Sequence, residues 1–201
     1  YGVDGATVRF GEATALDDVS IEVRPGEVVC VVGGDGAGKT TLLRATVGLV
    51  ALAAGAVRAP EQSDNGYLPA TAGSWSELTV DENLAFAGTV FGLRGADLQG
   101  RTDALADSAD LTFALDRLSR QLSGGMRRKL GFSMAMVHEP PLLVLDEPSS
   151  GVDPVSRVEL WRLIAQAAAA GAAVLTSTTY LDEAERASSL VVLDEGRVVL
   201  D

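Results

Sequence analysis

Gly33, Gly38, Lys39 and Thr40 stand at the spacing G-x-x-x-x-G-K-[ST] within GGDGAGKT. These residue types at this spacing can hold a polyphosphate. The glycines at 33, 34, 36 and 38, with Asp35 and the small Ala37 between them, let backbone N–H groups wrap phosphate oxygens without Cβ clashes. Lys39 then reaches the β- and γ-phosphates, and the Thr40 hydroxyl is placed to ligate Mg²⁺. The nucleotide-contacting stretch runs from Gly33, Gly34, Asp35, Gly36 and Ala37 through Gly38, Lys39 and Thr40 to Thr41. The plain alternative is a Gly-rich turn with an exposed lysine. It fits poorly with the Val-rich run before the segment and the helix-compatible residues after it.

Two further segments carry chemistry. Leu142-Leu143-Val144-Leu145 ends in Asp146-Glu147. A strand end beside a phosphate loop is where Mg²⁺ needs an acid, which assigns the metal to Asp146 together with Thr40. Glu147 is then placed as the catalytic carboxylate, orienting the attacking water and taking its proton. On its own the run would equally describe a solvated strand end. Leu122-Ser123-Gly124-Gly125-Met126 precedes a helix read as Met126 to about Val137, so Ser123, Gly124 and Gly125 form a second candidate anion-binding helix start. A serine cap followed by a glycine turn describes that spacing as well.

The elements that must position these groups alternate strand and helix, which implies a parallel α/β core. Val19, Ile21 and Val23 alternate with polar residues, as on a half-exposed strand. Val28 to Val32 is unbroken and apolar, as in a strand covered on both faces. A helix is expected from Lys39 to Val47, and another from Val155 to Ala170 with Val158, Trp161, Ile164, Ala165 and Ala168 on its buried face. Ala173–Thr176 reads as a strand, 181–187 as a short helix, and 190–200 as a hairpin turning at Glu195-Gly196. Residues 71–137 differ in texture and read as three or four helices inserted into a core of 1–70 and 138–201. The uncharged stretch Leu163–Leu181 is about the length of a membrane span. Its alanines, Gly171 and the Thr/Ser run near its end read instead as helix end, stop and buried strand.

The order of phosphate loop, LSGGM and LLVLDEP resembles the ATP-binding cassette (ABC) ATPase domain over essentially the whole chain. The resemblance implies a P-loop NTPase fold: a RecA-like parallel sheet, N-terminal antiparallel strands and an inserted helical subdomain. It also implies ATP and Mg²⁺ as ligands. Phe10 resembles the aromatic that stacks on adenine, although an ordinary strand aromatic would look the same. Ser150-Gly151-Val152-Asp153 resembles the loop that bridges two such domains, which places Asp153 near nucleotide. In the family two domains pair head to tail, so Ser123, Gly124 and Gly125 would contact the ATP of a partner. The same resemblance implies permease subunits in a membrane and a cytoplasmic position at its inner face, with the coupling surface near Trp75 to Phe91.

Two positions depart from the family pattern. In GYLPA the family has Gln or Glu where this chain has Ala70, and in STTYLDEAE it has His where this chain has Thr179. An alanine side chain has nothing to donate or accept. His138, the one histidine, reads as a capping or surface residue at the end of the signature helix. The segment between Thr41 and Ala70 also reads as contracted by about ten residues. These departures, with GGDGAGKTTL, RQLSGGMRRKLGFSMAMV and SSGVDPVSR, look most like the first cassette of bacterial tandem-cassette subunits serving drug-efflux or ABC-2-type exporters. The expected function is an ATP-driven export subunit that cleaves ATP slowly at its own site. The alternative is a mainly regulatory half that completes a partner's site. An asymmetric or tandem pair is favoured over a homodimer, which would carry two weakened sites.

Composition narrows the remaining classes. With 16 basic against 28 acidic side chains the net charge is −12, a poor match to nucleic acid. Aromatics at 5% leave no stacking platform for single strands. Coiled-coil heptads of chromosome-maintenance relatives and the basic linker of translation-factor relatives are missing from these 201 residues. Cys30 alone allows no internal disulfide, and one cysteine with one histidine is too few for a zinc site. The first residue, Tyr1, is consistent with a fragment or a processed product, and the opening lacks the pattern of a secretory leader.

Overall fold

The computed structural model describes residues 1–71 and 73–200. Two sheets carry the fold. An antiparallel sheet, ordered β2-β1-β4, is formed by β1 (Gly2–Phe10), β2 (Ala13–Glu22) and β4 (Ala54–Arg58). The larger sheet holds β3 (Val28–Val32), β5 (Asn65–Leu68), β6 (Leu142–Leu145), β7 (Ala173–Thr178), β8 (Ser189–Asp194) and β9 (Arg197–Leu200). Its order is β5-β6-β7-β3-β8-β9, parallel throughout except for the β8–β9 hairpin. The α/β class expected from strand–helix alternation is what the chain adopts.

The side-chain period of two explains how one sheet serves two cores. Val29, Val31, Leu142, Val144, Ala173 and Leu175 pack toward β1 and β2 and toward α1 (Lys39–Thr46). Their alternates Val28, Leu143, Leu145 and Val174 pack under α4 (Gly124–Ala135) and α5 (Pro154–Ala169). Every residue of β3, β6 and β7 is buried, as unbroken apolar runs require. Register then places the chemistry. Leu145 pairs with Thr176 and Val32 with Thr178, so the chain leaves β6 and β3 at the same sheet edge, beside Ser177 and Thr178.

Between β5 and β6 lie α2 (Val80–Val90), α3 (Gly95–Ser108) and α4. Thr79 and Glu82 close a reciprocal cap on α2, and Ser123 Oγ accepts from Met126 N at the start of α4. α4 therefore begins at Gly124, two residues before the expected start, because the cap is Ser123 itself. The short α6 (Leu181–Ala184) follows β7. No helix among the described residues is long and apolar enough to cross a membrane. The uncharged stretch 163–181 is instead the end of α5, a turn at Gly171 and β7.

Several expectations need correcting. The segment between Thr41 and Ala70, read as contracted, still holds both β4 and β5; β4 is wholly exposed and so shows no apolar pattern to read. On α5 the buried face is Leu160, Trp161, Leu163, Ile164, Ala167 and Ala168, while Val158 and Ala165 face out. Trp161, Ile164 and Ala168 of the expected stripe do lie on the buried face. His138 is neither cap nor surface residue. It is half-buried and stacks on Phe91 with ring centroids 3.6 Å apart. In the helical region Phe86, Phe91 and Phe113 are exposed, whereas Leu84, Leu105 and Leu111 fill its interior.

Candidate functional site

The phosphate-loop segment sits between β3 and α1, where the strand register demands it. Gly38 has φ 103°, a left-handed conformation, and a Cβ there would stand 2.7 Å from the carbonyl oxygen of Ala15. No side chain caps α1, and its first intrahelical bond runs from Leu42 N to Gly38 O. The N–H groups of Lys39, Thr40 and Thr41 thus precede the helical ladder, the arrangement that suits an anion. A cavity of about 240 Å³ is lined by Ala15, Asp35, Gly36, Ala37, Gly38, Lys39, Thr40, Thr41 and Glu147.

Lys39 is almost fully buried, and Nζ donates to the carbonyl oxygens of Gly33 at 2.9 Å and Gly34 at 3.1 Å. It also lies 3.4 Å from Glu147 Oε1. Glu147 adopts φ 46°, rare for a residue with a side chain, directly after the last strand residues. Strained backbone of this kind clusters at functional sites, where surrounding bonds hold it. Here Glu147 N donates to Ser177 Oγ at 3.0 Å, and Ser150 N donates to Glu147 O at 3.2 Å.

Asp146 is fully buried. Its Oδ1 accepts from Thr40 Oγ1 at 3.1 Å and from Ser177 Oγ at 2.9 Å, while Oδ2 is buried without a partner. A buried carboxylate oxygen left unpaired is costly unless a ligand completes it. Together with the Thr40 hydroxyl it forms a hard oxygen donor set of the kind Mg²⁺ takes, usually with several waters. The residues present therefore fit that ion.

The other expected residues are placed elsewhere. Phe10 ends β1 beside the Gly11 turn, and its exposed ring does not line the cavity. Ser123, Gly124 and Gly125 start α4, away from the phosphate-loop cavity lining. Gly125 is packed so closely that a Cβ would come 2.3 Å from Ser156 Oγ. Asp153, expected near nucleotide, has its Oδ1 accepting from Val155 N and Ser156 N at 3.1 Å each, so it caps α5. Hydrogen bonds from Ser156 hold its carboxyl below the usual range. Ala70 and Thr179 are both exposed.

Sequence reading missed three contributors. Ser177 joins Asp146 to the Glu147 backbone, and its signal was a polar residue at the end of a buried strand. Glu183 is buried and accepts from Ser149 Oγ at 2.6 Å and Thr178 Oγ1 at 2.7 Å, with Arg157 Nε 3.3 Å away. It ties the segment after Glu147 to the end of β7. Arg128 from α4 donates to the backbone carbonyls of Pro69, Ala70 and Thr71.

A second groove, about 430 Å³, lies under α2. Trp75, Phe86, Val90 and Phe91 are among its lining residues, along with Tyr67 and His138. Trp75 and Phe86 meet edge-on at 4.5 Å.

Comparison with known proteins agrees with this geometry. The family model described as ABC transporter matches residues 16–150. The chain is 36% identical over 203 residues to the "Nod factor export ATP-binding protein I" of Cupriavidus metallidurans, covering 96% of this chain and 67% of that protein. It is 37% identical over 209 residues to a "Probable multidrug ABC transporter ATP-binding protein" of Escherichia coli (strain K12), covering 98% of this chain and 36% of that protein. A solved structure described as the ATP binding subunit of an ABC transporter superposes with a TM-score of 0.88 at 31% identity, covering 99% of this chain and 88% of that one.

Proposed function

The chain belongs to the ABC transporter ATP-binding family, and from that premise we propose that it binds MgATP between its phosphate loop and a second cassette and so drives an exporter. The observation carrying this reading is the buried Asp146, held at Oδ1 by Thr40 and Ser177 while Oδ2 is buried without a partner. Thr40 and Asp146 would hold Mg²⁺, Asp146 acting through water. When bound, the ion neutralises charge on the β- and γ-phosphate oxygens.

The chain's own residues do the rest. The N–H groups at the start of α1 and the Lys39 ammonium bind the phosphates. Lys39 exchanges its contact with Glu147 for the incoming anion, and the freed carboxylate then orients water and takes its proton. Phe10 would stack on adenine. Ser123, Gly124 and Gly125 would meet the partner's ATP, and Asp153 would set the start of α5 at that junction. The working units would be a core of 1–70 and 138–201 and a helical subdomain of 71–137.

Transport requires membrane permease subunits, which places the chain at the cytoplasmic face of a membrane. The groove under α2, rimmed by Trp75, Phe86 and Val90, is the proposed contact with them. Export is supported by the names of the relatives, which concern Nod factor and multidrug export. A tandem or hetero-pair is supported by the E. coli relative, of which the chain spans just over a third, leaving length for another cassette.

At its own site the chain would cleave ATP slowly, because Ala70 and Thr179 bring no polar group suited to the γ-phosphate. Loss of one such group typically costs about 10²–10³ in rate. Those two residues also favour the second reading, a mainly regulatory half whose bound ATP completes a partner's site. Calorimetry with MgATP tests the binding claim directly: micromolar heat in the native chain that disappears in Lys39→Ala is expected, and silence in both would sink it. Single-turnover cleavage with the partner's site disabled separates the two readings.

A further inference from the structure

Arg128 lies one turn into α4, the helix whose first residues form the signature segment. Nη1 donates to Pro69 O at 3.3 Å and Thr71 O at 3.0 Å, and Nη2 donates to Ala70 O. One side chain therefore gathers three consecutive carbonyls. A guanidinium fork with five N–H donors can do this; an ammonium cannot match the geometry. The gripped segment is not an idle loop. It continues directly from β5, where Leu68 O accepts the backbone N–H of Asp146 at 2.8 Å. An unbroken path thus runs from α4 through Arg128, residues 69–71 and Leu68 to the proposed metal acid.

The surroundings also concern the site. A cavity of about 160 Å³ bounded by Ala70, Thr71, Gly124, Arg127, Arg128 and the 150–152 segment places the guanidinium where three functional segments converge. Burial lowers the pKa of Arg128 from its ordinary value, while the charges of Glu147 first and then Asp146 oppose the shift. The guanidinium stands where side chain 70 is only a methyl group.

We propose that Arg128 is a positioning residue for the triphosphate end of the site: by gripping residues 69–71 it fixes the loop that continues from β5 beside Asp146, where side chain 70 offers no polar group of its own. This rests on the ATP-binding reading above. It makes the orientation of α4, and so of the signature segment, a determinant of how the chain senses a γ-phosphate.

The test uses the native chain with Arg128→Met, Arg128→Lys and Arg128→Ala. MgATP and MgADP affinities are measured by displacement of a fluorescent nucleotide, and amide exchange is followed at Ala70 and Thr71. Arg128→Met is expected to speed exchange in that loop and cut the preference for ATP over ADP by about tenfold, with ADP affinity within about twofold. Arg128→Lys should fall between. Millimolar guanidinium should restore ATP preference to Arg128→Ala; as a denaturant it would do the opposite to a merely unfolded variant. If Arg128→Met does not fold, Arg128→Lys and the guanidinium rescue decide. Faster loop exchange with an unchanged ATP-to-ADP ratio, or no rescue, overturns the proposal alone. A wild-type chain that binds neither nucleotide overturns the ATP reading, and this proposal with it.

Discussion

Lys39 Nζ lies 3.4 Å from Glu147 Oε1, so the buried cation of the phosphate loop is paired with the carboxylate proposed to act on water. On the proposed function, anion binding at Lys39 and release of Glu147 are one exchange. Replacing Glu147 by Gln removes the competing charge and the proton acceptor together. Glu147→Gln is expected to bind MgATP at least as tightly as the native chain while single-turnover cleavage falls about 10²–10³-fold. Nucleotide titration and rapid-quench cleavage measure the two halves. A variant that loses affinity and rate in parallel would contradict the exchange.

Ser177 holds the site together from β7. It donates to Asp146 Oδ1 and accepts from Glu147 N, and it is fully buried. Ser177→Ala removes the partner of the partly buried Glu147 N–H and one of the two bonds to the Asp146 carboxylate. Each loss of this kind costs about 1–3 kcal/mol. The denaturant midpoint should drop accordingly, and Mg²⁺ affinity should weaken because Asp146 is then held only by Thr40. An unchanged midpoint would show that Ser177 is idle.

The site was legible where its chemistry is local in sequence and obscure where it is made by register. Gly33 to Thr41 and Asp146-Glu147 can be read directly, because a phosphate cradle and a strand-end acid need fixed neighbours along the chain. Ser177 and Arg128 act across 31 and 58 positions, reaching Asp146 and Ala70 respectively, and no pattern within either segment announces the partner. The fold shows the same division. Strands β3, β6 and β7 are covered on both faces and read as unbroken apolar runs. β4 is an exposed edge of the small sheet, and AGAVR carries no such signal. His138 was misread because its environment is a stack on Phe91, 47 positions away, and not the helix end beside it.

That environment has a pH consequence. Burial is the main reason the His138 pKa lies below its ordinary value of 6.5; nearby Arg101 lowers it further, and the carbonyls of Asp64 and Asn65 only partly oppose the shift. In the unfolded chain the imidazole takes up its proton at a higher pH than in the folded one. The associated stability is therefore fully present above pH 6.5 and is lost as pH falls through the folded value. His138→Phe should remove this part of the pH dependence while keeping the stack with Phe91. Denaturation midpoints between about pH 4 and 8 provide the check; identical slopes in both proteins would rule His138 out as the source.

Ala70 and Thr179 offer the sharpest comparison, since both are exposed and neither side chain is built into a core. Substituting them should therefore leave the fold intact while changing only exposed side chains. If the missing polar groups limit cleavage, Ala70→Gln should raise the single-turnover rate by about tenfold or more, and Thr179→His should act in the same direction. The two gains need not add, because groups aimed at one transition state work as a unit. Ala70→Gln also has a structural constraint: the Ala70 carbonyl is already held by Arg128, so the new side chain projects from a fixed backbone. The gain from Ala70→Gln should accordingly shrink when Arg128 is also replaced by Met. A double-mutant cycle on the cleavage rate measures that coupling. Full additivity would mean that the loop needs no help from α4 to place residue 70, and no gain from either single substitution would locate the slow step elsewhere.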